Sequence, residues 1–413
     1  MSRLADLPAP ADRRIAVRVT PDALRQVRAG HPWIYASSIT SMSHDGSAGD
    51  LAVVFDADRR FAAIGLFDPD SPVRIKVLHR GKPVPIDAAW WAARARAAAE
   101  LRRSLADSAA TTAYRCINGE GDGFPGLVLD RYGDVHVVKL YTAAWLPHLA
   151  TLVPVLTECF GIRTLVARLS RMLEARSTYG LRDGDTLMGE PPAGPVRFLE
   201  HGLTFEAEVV RGHKTGHFLD QRDNRARVGA LARDARVLDV FSYTGGFSLH
   251  AAAGGASAVR SVDISPHASR TVARHFELNQ SNASVAACHL RTATGDAFEV
   301  MRDLAARRDR FDVVVIDPPS FASKQVDVSR ALRAYSRLTE LGLALVTDGG
   351  VLVQASCSSR VTSEQFFATI IDTAARTRTR LDELERTGHA VDHPITFAEG
   401  AYLKAMFAVV HHR

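Results

Sequence analysis

The sequence predicts an α/β protein whose C-terminal half is a mostly parallel sheet with helices on both faces. From Gly202 onward, short apolar strands alternate with helix-forming segments, and this alternation is typical of a Rossmann-like, doubly wound sheet. Before it, strand-like runs separated by Gly, Asp and Pro turns predict a small β-barrel and then a mixed α+β segment. We therefore expect three domains, formed by residues 1–85, 86–200 and 201–413.

The composition is that of a globular protein with a modest basic excess. The 413 residues include 51 Lys and Arg against 46 Asp and Glu, a net charge of +5, which permits a nucleic-acid partner without requiring one. The four cysteines lie far apart and fit neither a disulfide framework nor a zinc cluster, so we expect no metal. The N-terminus lacks an apolar signal core, and no uninterrupted apolar run reaches about 18 residues. We therefore expect a soluble, cytoplasmic protein without a membrane partner.

A basic helix is predicted over residues 87–105. Asp87 is its N-cap candidate, and strong helix formers follow. Four arginines lie among its alanines: Arg94, Arg96, Arg102 and Arg103. The helix could lie on RNA, but a solvated helix that packs Trp90 and Trp91 is the simpler interpretation. Further on, Tyr132, Gly133 and Asp134 indicate a β-hairpin.

The segment from Val237 to Ile264 predicts half of a nucleotide-cofactor site. It consists of an apolar strand, a glycine turn, a small-residue helix and a second strand that ends in an acid. In such a unit Gly245 and Gly246 let the backbone approach the ligand, and Asp263 is placed to bind ribose hydroxyls. The turn reads FSYTGGFS instead of G-x-G-x-x-G, and no hydride-donor site follows. A dehydrogenase is therefore disfavoured.

Three acids at the ends of successive strands narrow the choice of cofactor. Asp239 ends the first strand, Asp263 ends the second, and Asp296 follows the third, near the expected adenine edge. Carboxylates in these places suit S-adenosylmethionine, which carries a positive sulfonium and an amino group. Each acid also has a purely structural interpretation as a helix N-cap or a turn residue.

Asp317 and Cys357 are the candidate catalytic pair. Asp317 ends an apolar strand, and Pro318 and Pro319 fix the backbone that holds its carboxylate at the carboxyl edge of the sheet. Cys357 is expected at the end of the next strand, in the polar turn SCSS. Both groups are needed to methylate carbon-5 of a pyrimidine, because a thiolate must first add to carbon-6. Asp317 would bind the N3/N4 edge of cytosine, whereas Cys288 is predicted to be a core strand residue without a role.

Several segments together resemble the RlmI-type bacterial methyltransferases, which make 5-methylcytosine in large-subunit ribosomal RNA. The matching segments, in the family's order, are RAGHPWIYASSI, INGEGDGFPGLVLDRYGD, FLEHGLTFEAEVVRGHKTGHFLDQRDNR, DVFSYTGGFSL, VDIS, DPPSF, SCS and DHPITFAEGAYLKA. The match in HKTGHFLDQRDNR is highly specific, whereas VDIS or SCS alone is not. The resemblance implies an N-terminal PUA domain that binds RNA, a central linking domain and a class I methyltransferase domain that uses S-adenosylmethionine.

The resemblance also implies roles for individual residues. Cys357 would be the nucleophile, and Asp317 would meet the target base. The cofactor would be bound by Phe218, Gln221, Asp239, Phe241, Ser242, Tyr243, Thr244, Gly245, Gly246, Asp263, Asp296, Ala297 and Asp317. The expected substrate contacts are Pro318, Pro319 and Arg222. Phe218, Asp220, Gln221 and Arg222 would close over the methionine part of the cofactor, although Asp220 and Arg222 could instead pair with each other.

The sequence departs from the family pattern in two places, and two other functions stay open. Leu199 stands where the family often has Glu, and Ser320 stands where it often has Lys. The DPP motif carries no cysteine, so a two-cysteine mechanism is not expected, and no residue is identified as the base that removes the carbon-5 proton. The alternatives are methylation of a guanine nitrogen in ribosomal RNA and a catalytically silent RNA-binding assembly factor. A homodimer is also compatible with the sequence.

Overall fold

The computed structural model describes residues 3–212, 214–322 and 324–412. The chain divides into two compact units. The first consists of Met1–Leu199, Glu206–Leu219 and Val391–Ala398, and the second of Glu200–Phe205, Asp220–Ala390 and Glu399–Arg413. The three domains with bounds 1–85, 86–200 and 201–413 stay a prediction.

A six-stranded sheet forms the N-terminal part of the first unit. Its elements are β1 (Ile15–Val19), α1 (Pro21–Arg28), β2 (Trp33–Tyr35), β3 (Ile39–Met42), β4 (Leu51–Phe55), β5 (Phe61–Phe67) and β6 (Val73–Arg80). The strands lie in the order β2-β6-β5-β4-β1-β3. Ile15 and Val17 are buried whereas Ala16 and Arg18 are exposed, which is the period-two pattern of a half-buried strand.

A five-stranded mixed sheet with helices follows in the same unit. Its elements are α2 (Ala88–Leu101), α3 (Arg103–Ala106), β7 (Ala113–Asn118), β8 (Leu127–Tyr132), β9 (Val135–Leu140), α4 (Leu149–Phe160), β10 (Thr164–Leu169), α5 (Arg171–Glu174) and β11 (Thr186–Met188). The strand order is β11-β10-β9-β8-β7. The predicted N-cap is confirmed, because the Asp87 side chain accepts from the Trp90 backbone N–H. The predicted hairpin joins β8 to β9, and Gly133 takes the positive φ of +57° that this turn needs.

Arg102 is buried and joins three segments of the first unit. Its guanidinium donates to both carboxylate oxygens of Asp122, at 2.8 and 2.7 Å, and to the backbone carbonyl of Asp392 at 2.8 Å. The Arg115 backbone N–H donates to the Asp392 carboxylate at 2.9 Å, so the short segment Val391–Ala398 is held in the first unit. The prediction that grouped Arg102 with a solvated basic helix is wrong for this residue, because a buried guanidinium needs such partners.

One stretch of the first unit is long and apolar enough to cross a membrane by length and composition alone. Ala143–Phe160 has 18 residues and a mean hydropathy of 1.2, and 56% of it is buried. Trp145, Leu149, Leu152 and Leu156 belong to the core of this unit. A core helix of a folded protein has the same composition, so the stretch is weak evidence for a membrane span.

His136 in β9 is a buried histidine whose protonation opposes folding. It is 2% exposed, and neither ring nitrogen has a hydrogen-bond partner among the described residues. Burial, followed by the charge of Arg131, lowers the pKa of His136 to about 3. Between about pH 6.5 and pH 3 this histidine is therefore protonated in the unfolded chain but stays neutral in the folded chain.

We expect the folded state to lose stability through His136 as the pH falls from about 6.5 towards 3. The slope is about 1.4 kcal/mol per pH unit. Between pH 7 and 5 the free energy of unfolding of the first unit should fall by about 2 kcal/mol more in the wild type than in His136→Leu. Urea titrations at both pH values measure this difference. His267→Leu, at an exposed position, should keep the wild-type slope, and an equal slope in His136→Leu would contradict the assignment.

Two short strands follow, β12 (Val196–Glu200) and β13 (Leu203–Ala207), and then the second unit's helices and main sheet. The elements are α6 (Arg222–Leu231), β14 (Arg236–Val240), α7 (Gly246–Ala253), β15 (Ala258–Asp263), α8 (Pro266–Leu278), α9 (Ala283–Ala287), β16 (His289–Thr294), α10 (Ala297–Ala306), β17 (Phe311–Ile316), α11 (Val328–Leu345), β18 (Val346–Ser356), α12 (Ser363–Arg376), β19 (Thr379–Thr387) and β20 (Lys404–His412). The strand order is β16-β15-β14-β17-β18-β20-β19.

The main sheet of the second unit is parallel except at β20, which runs antiparallel to both β18 and β19. The predicted α/β fold class is confirmed: an N-terminal β sheet, a central mixed sheet and a parallel-rich Rossmann-like sheet. The prediction that Cys288 lies in a core strand needs correction. Cys288 is buried, but it follows the short helix α9 and precedes β16.

Candidate active site

The loop after β14 has a backbone that few residues adopt. Phe241, Tyr243 and Gly245 have φ values of +64°, +48° and +76°, although positive φ is uncommon for residues other than glycine. Hydrogen bonds hold the loop in place: the Tyr243 backbone N–H donates to the Asp263 carboxylate at 2.9 Å, and the Ser242 N–H donates to the Val262 carbonyl at 3.0 Å. Strained backbone of this kind clusters at binding sites. This loop contains the predicted residues Phe241, Ser242, Tyr243 and Thr244.

Gly245 and Gly246 are required for packing within the protein. A Cβ on Gly245 would lie 2.8 Å from the Val272 side chain, and one on Gly246 would lie 2.6 Å from Cδ of Arg225. Both distances are shorter than real Cβ contacts. In the structure, the absence of a side chain at these two positions lets the start of α7 lie against Val272 of α8 and Arg225 of α6. The approach of the backbone to a ligand at these glycines stays a prediction.

Asp239 is a buried carboxylate that offers a spare acceptor. Its Oδ2 accepts from the backbone N–H and the hydroxyl of Ser248, at 3.0 and 2.6 Å. Its Oδ1 is buried and has no partner among the described residues. Burial, opposed by the Ser248 hydrogen bonds and assisted by the charge of Asp263, raises the pKa of Asp239 to about 6. A buried acceptor without a partner fits a cofactor that brings an ammonium group.

Asp263 and Asp296 both have structural partners. Asp263 accepts from the backbone N–H groups of Tyr243 and Ser265, each at 2.9 Å, and is half-buried, so it can still accept from a ribose hydroxyl. Asp296 caps α10 and accepts from the Glu299 backbone N–H at 3.1 Å, with Ala297 as the first residue of the helix. The N-cap alternative considered for Asp296 is thus observed, while the cofactor roles of Asp296 and Ala297 stay predictions.

The sheet brings Asp317 and Cys357 to one edge. β14, β17 and β18 are adjacent and parallel, with Val240 opposite Ile316 and Ile316 opposite Gln354. The residues that follow these strands therefore lie at the same carboxyl edge. The Cys357 thiol donates to the Pro318 carbonyl with a sulfur–oxygen distance of 3.8 Å. This contact joins the turn after β18 to the Asp-Pro-Pro turn after β17.

Asp317 is a carboxyl group whose pKa is raised in the folded protein. Burial is the largest cause, the negative charge of Asp220 adds to it, and a hydrogen bond with the Gln221 side chain opposes it. Together they raise the pKa of Asp317 to about 7. Near neutral pH this group can therefore either donate or accept a hydrogen bond.

The predicted entry motif is distributed between the two units. Phe218 lies in the first unit, where the Lys214 ammonium is 4.6 Å from the centre of its ring. Asp220, Gln221 and Arg222 lie in the second unit. Asp220 accepts from the Tyr402 hydroxyl at 2.9 Å, and Arg222 is buried with its Nε 3.3 Å from the Asp223 carboxylate. Two members of this motif act on Asp317: Gln221 through a side-chain hydrogen bond and Asp220 through its negative charge.

Ser320 stands where the RlmI-type family often has lysine. Here its side chain contacts the turn that follows β18. Its hydroxyl lies 2.9 Å from that of Ser358, and the Ser358 hydroxyl accepts from the Ala322 backbone N–H. Pro318 is buried and Pro319 is exposed. Ser320 therefore adds a second link between the Asp-Pro-Pro turn and the turn that carries Cys357.

Residues 115–408 match the protein family described as S-adenosylmethionine-dependent methyltransferase, and residues 17–80 match the PUA-like domain. The chain belongs to this methyltransferase family. S-adenosylmethionine is therefore its cofactor, and the partnerless Oδ1 of Asp239 and the half-buried Asp263 fit its ammonium and ribose groups. No group of three or more His, Cys, Asp or Glu in the described ranges could hold a metal ion.

The methyltransferase is similar to curated relatives over almost its whole length, and their names resemble one another. A "Ribosomal RNA large subunit methyltransferase" of Deinococcus radiodurans is 46% identical and covers 97% of this chain and 98% of its own length. A "Ribosomal RNA large subunit methyltransferase I" of Shewanella denitrificans is 34% identical, with 96% and 99% covered. A solved structure of a candidate SAM-dependent methyltransferase from Streptococcus mutans is 22% identical, covers 95% of this chain and 99% of its own, and has a TM-score of 0.79. The resemblance to RlmI-type enzymes is confirmed.

The methyltransferase also contains a buried ionic cluster that the sequence did not reveal. Arg225 donates to both carboxylate oxygens of Glu200, each at 2.6 Å, and His250 Nε2 lies 3.0 Å from the same carboxylate. Burial raises the pKa of Glu200, but Arg225 and the hydrogen bonds from His250 and Arg225 bring it well below its usual value. Because Gly246 lies against Arg225, this cluster fixes the start of α7, the helix that follows the loop after β14.

We expect Glu200→Gln to lower the free energy of unfolding of the second unit by about 3–5 kcal/mol, because it leaves the buried Arg225 guanidinium without its counter-charge. Urea unfolding at pH 7 measures this loss. Arg227 and Glu385 form an exposed pair with similar bidentate contacts, at 2.8 and 3.2 Å. Glu385→Gln should therefore cost less than about 1 kcal/mol. Equal losses in the two variants would contradict the importance of burial.

Two further side chains near Cys357, those of Tyr335 and Lys404, were not predicted from the sequence. The Tyr335 hydroxyl lies 2.8 Å from the hydroxyl of Ser356, the last residue of β18. Lys404, the first residue of β20, donates to two carbonyls of the turn that follows Cys357. Tyr335 lies 21 residues before Ser356, and Lys404 lies 46 residues after Ser358. No local motif connects positions so far apart, and only the pairing of β18 with β20 brings Lys404 to this edge.

Proposed function

We propose that this methyltransferase acts on large-subunit ribosomal RNA and forms 5-methylcytosine through a covalent adduct of Cys357 with carbon-6 of the base. The observation that supports the proposal is the 3.8 Å contact between the Cys357 thiol and the Pro318 carbonyl, which brings the thiol next to the turn that carries Asp317. The names of its relatives support the choice of RNA. The PUA-like match at residues 17–80 supports a role for this part of the chain in RNA binding.

S-adenosylmethionine, when bound, supplies an electrophilic methyl group on a positively charged sulfur. Asp239 would accept from its amino group, and Asp263 from its ribose hydroxyls. The carboxyl edge where Asp317 and Cys357 lie also carries the loop after β14. The same edge can therefore hold the donor and the target base, the arrangement that open α/β sheets use for their ligands.

Cys357 would begin the reaction on the base. Its thiolate forms a bond to carbon-6, and the electron pair of the C5=C6 bond shifts so that carbon-5 becomes nucleophilic. Carbon-5 would then take the methyl group: the new carbon–carbon bond would form as the methyl–sulfur bond breaks, and the sulfur would keep that electron pair and leave as a neutral thioether. A base removes the carbon-5 proton, the pair left behind restores the C5=C6 bond, and the C6–S bond breaks to return the thiolate.

Asp317 would stabilise the charge that the addition creates. With a pKa of about 7 it is partly protonated at neutral pH, so it can donate a hydrogen bond to N3 of cytosine while its other oxygen accepts from the N4 amino group. Pro318 and Pro319 keep this carboxyl in place, because their backbone has little freedom. The cytosine must leave the base stack to reach the edge of the sheet, as other base-modifying enzymes require.

A direct experiment identifies the product. The protein is incubated with methyl-labelled S-adenosylmethionine and unmodified large-subunit ribosomal RNA, with small-subunit RNA as the control. Nuclease digestion and bisulfite sequencing then locate the label. We expect 5-methylcytidine in the large-subunit RNA alone. A labelled methylguanosine would instead support the guanine-nitrogen alternative, and tight RNA binding without cofactor binding in calorimetry would support a silent assembly factor.

A further inference from the structure

Lys404 is placed at the catalytic edge by the antiparallel pairing of the last strand. β20 runs against β18 with Lys404 opposite Ser356, the residue just before Cys357. Because β20 is antiparallel, its first residue lies at the edge where the parallel strands end. Lys404 therefore lies level with the turn that carries the nucleophile.

The Lys404 side chain reaches into that turn. It is 2% exposed, and Nζ donates to the carbonyls of Ser358 and Val361 at 2.6 Å each. Among the described residues it forms no ion pair with a carboxylate. A buried ammonium is costly unless hydrogen bonds and a nearby negative charge compensate it. Two carbonyls supply part of this compensation, and a thiolate at Cys357 would supply the rest.

Charged and titratable groups from three neighbouring elements lie around Cys357. Lys404 belongs to β20, Asp317 follows β17, and Tyr335 belongs to α11. Electrostatic interactions connect Cys357 with Lys404 and with Tyr335. Burial lowers the pKa of Lys404 to about 8, and the negative charge of Cys357 acts in the opposite direction. Lys404 is the cation in this group, so its ammonium and the thiolate favour each other's charged forms.

We propose that Lys404 is a positioning residue for Cys357: its ammonium fixes the turn of residues 358–361 and stabilises the Cys357 thiolate. The proposal rests on the proposed function in one respect only, namely that the thiolate attacks carbon-6 of the base. We assign Lys404 the roles of hydrogen-bond donor and neighbouring cation, since its Nζ donates to two carbonyls of this turn.

The ionisation of Cys357 can be measured without RNA. The full-length protein is treated with iodoacetamide between pH 6 and 10, and alkylation of each cysteine is followed by mass spectrometry in the wild type, Lys404→Met and Lys404→Arg. Cys159, which is half-buried in the first unit, serves as the internal reference. Thermal unfolding confirms that each variant is folded.

We expect the alkylation midpoint of wild-type Cys357 to lie below the value near 8.5 of an unperturbed cysteine. In Lys404→Met the midpoint should rise by about one pH unit or more, with a rate at pH 7 about tenfold lower, because only the thiolate reacts. Lys404→Arg keeps the charge and should keep most of the wild-type profile. Cys159 should react alike in all three proteins.

Two results would overturn the proposal. One is a folded Lys404→Met protein whose Cys357 profile matches the wild type. The other needs no variant: a wild-type Cys357 midpoint at or above 8.5 would show that the folded protein gives the thiolate no net stabilisation. Failure of the proposed function is a separate outcome, since Cys357 could show a Lys404-dependent midpoint while Cys357→Ala still methylates RNA.

Discussion

Cys357→Ala is expected to reduce methyl transfer to large-subunit ribosomal RNA by at least about 10³-fold, because removing a covalent nucleophile abolishes the step that activates carbon-5. S-adenosylmethionine binding should be unchanged, since the cofactor residues are left intact. Single-turnover transfer of a labelled methyl group measures the first effect, and calorimetry measures the second. Cys159→Ala, which removes a half-buried thiol of the first unit, should transfer methyl groups at the wild-type rate.

The Cys357 variant also separates the two enzymatic hypotheses. Methylation of a guanine nitrogen needs no thiolate, because that nitrogen is itself the nucleophile. A Cys357→Ala protein with full activity and a methylguanosine product would therefore contradict the covalent mechanism. In the wild type, a covalent protein–RNA complex that survives denaturation and disappears in Cys357→Ala would support it.

Asp317→Asn is expected to lower activity and raise stability at the same time. The asparagine cannot donate a proton to the base, so methyl transfer should fall by about 10²–10⁴-fold. The pKa of Asp317 is raised to about 7 in the folded protein from an ordinary value of 3.8. Its protonated form therefore favours folding at low pH, and this contribution is lost as the pH rises from about 4 to 7. The asparagine variant does not suffer this loss.

At pH 8 the free energy of unfolding of the Asp317→Asn protein should consequently exceed that of the wild type by about a few kcal/mol, and the difference should vanish near pH 4. In wild-type turnover at saturating RNA, the rate should decline above about pH 7 as Asp317 loses its proton, and this decline should be absent from the residual activity of the variant. Asp303→Asn, at an exposed position of α10, should change neither quantity. A variant with wild-type activity and unaltered stability would show that Asp317 is an ordinary surface acid.

Much of the site follows from short-range sequence patterns. Each parallel strand is a continuous apolar run, and the polar residues directly after it must lie at the carboxyl edge. For this reason Asp317 and Cys357 could be placed together before any contact was known. The same logic located the loop after β14 and the acids Asp239 and Asp263, although Asp296 turned out to cap a helix.

Other features depend on contacts that no local pattern records. Position 246 requires glycine because a Cβ there would overlap the side chain of Arg225. Arg225 is itself held by Glu200 in a separate strand. Arg102 lies in a stretch whose composition predicts a solvated helix. It is nevertheless buried, because the Asp122 carboxylate and the Asp392 backbone carbonyl accept its hydrogen bonds. In each case a charged group is buried only because distant segments provide opposite charges or carbonyls.

The sequence by itself determined the α/β fold class, and it predicted the S-adenosylmethionine half-site and the placement of Asp317 and Cys357 at one edge of the sheet, because these follow from strand periodicity and from the residues that directly follow each strand. Only the tertiary structure decided how these groups are tuned. The neighbours that raise the pKa of Asp317, and the lysine that binds the turn after Cys357, come from elements far away in the chain. Their effects depend on burial and on distances of a few ångströms, and both exist only once the strands have paired.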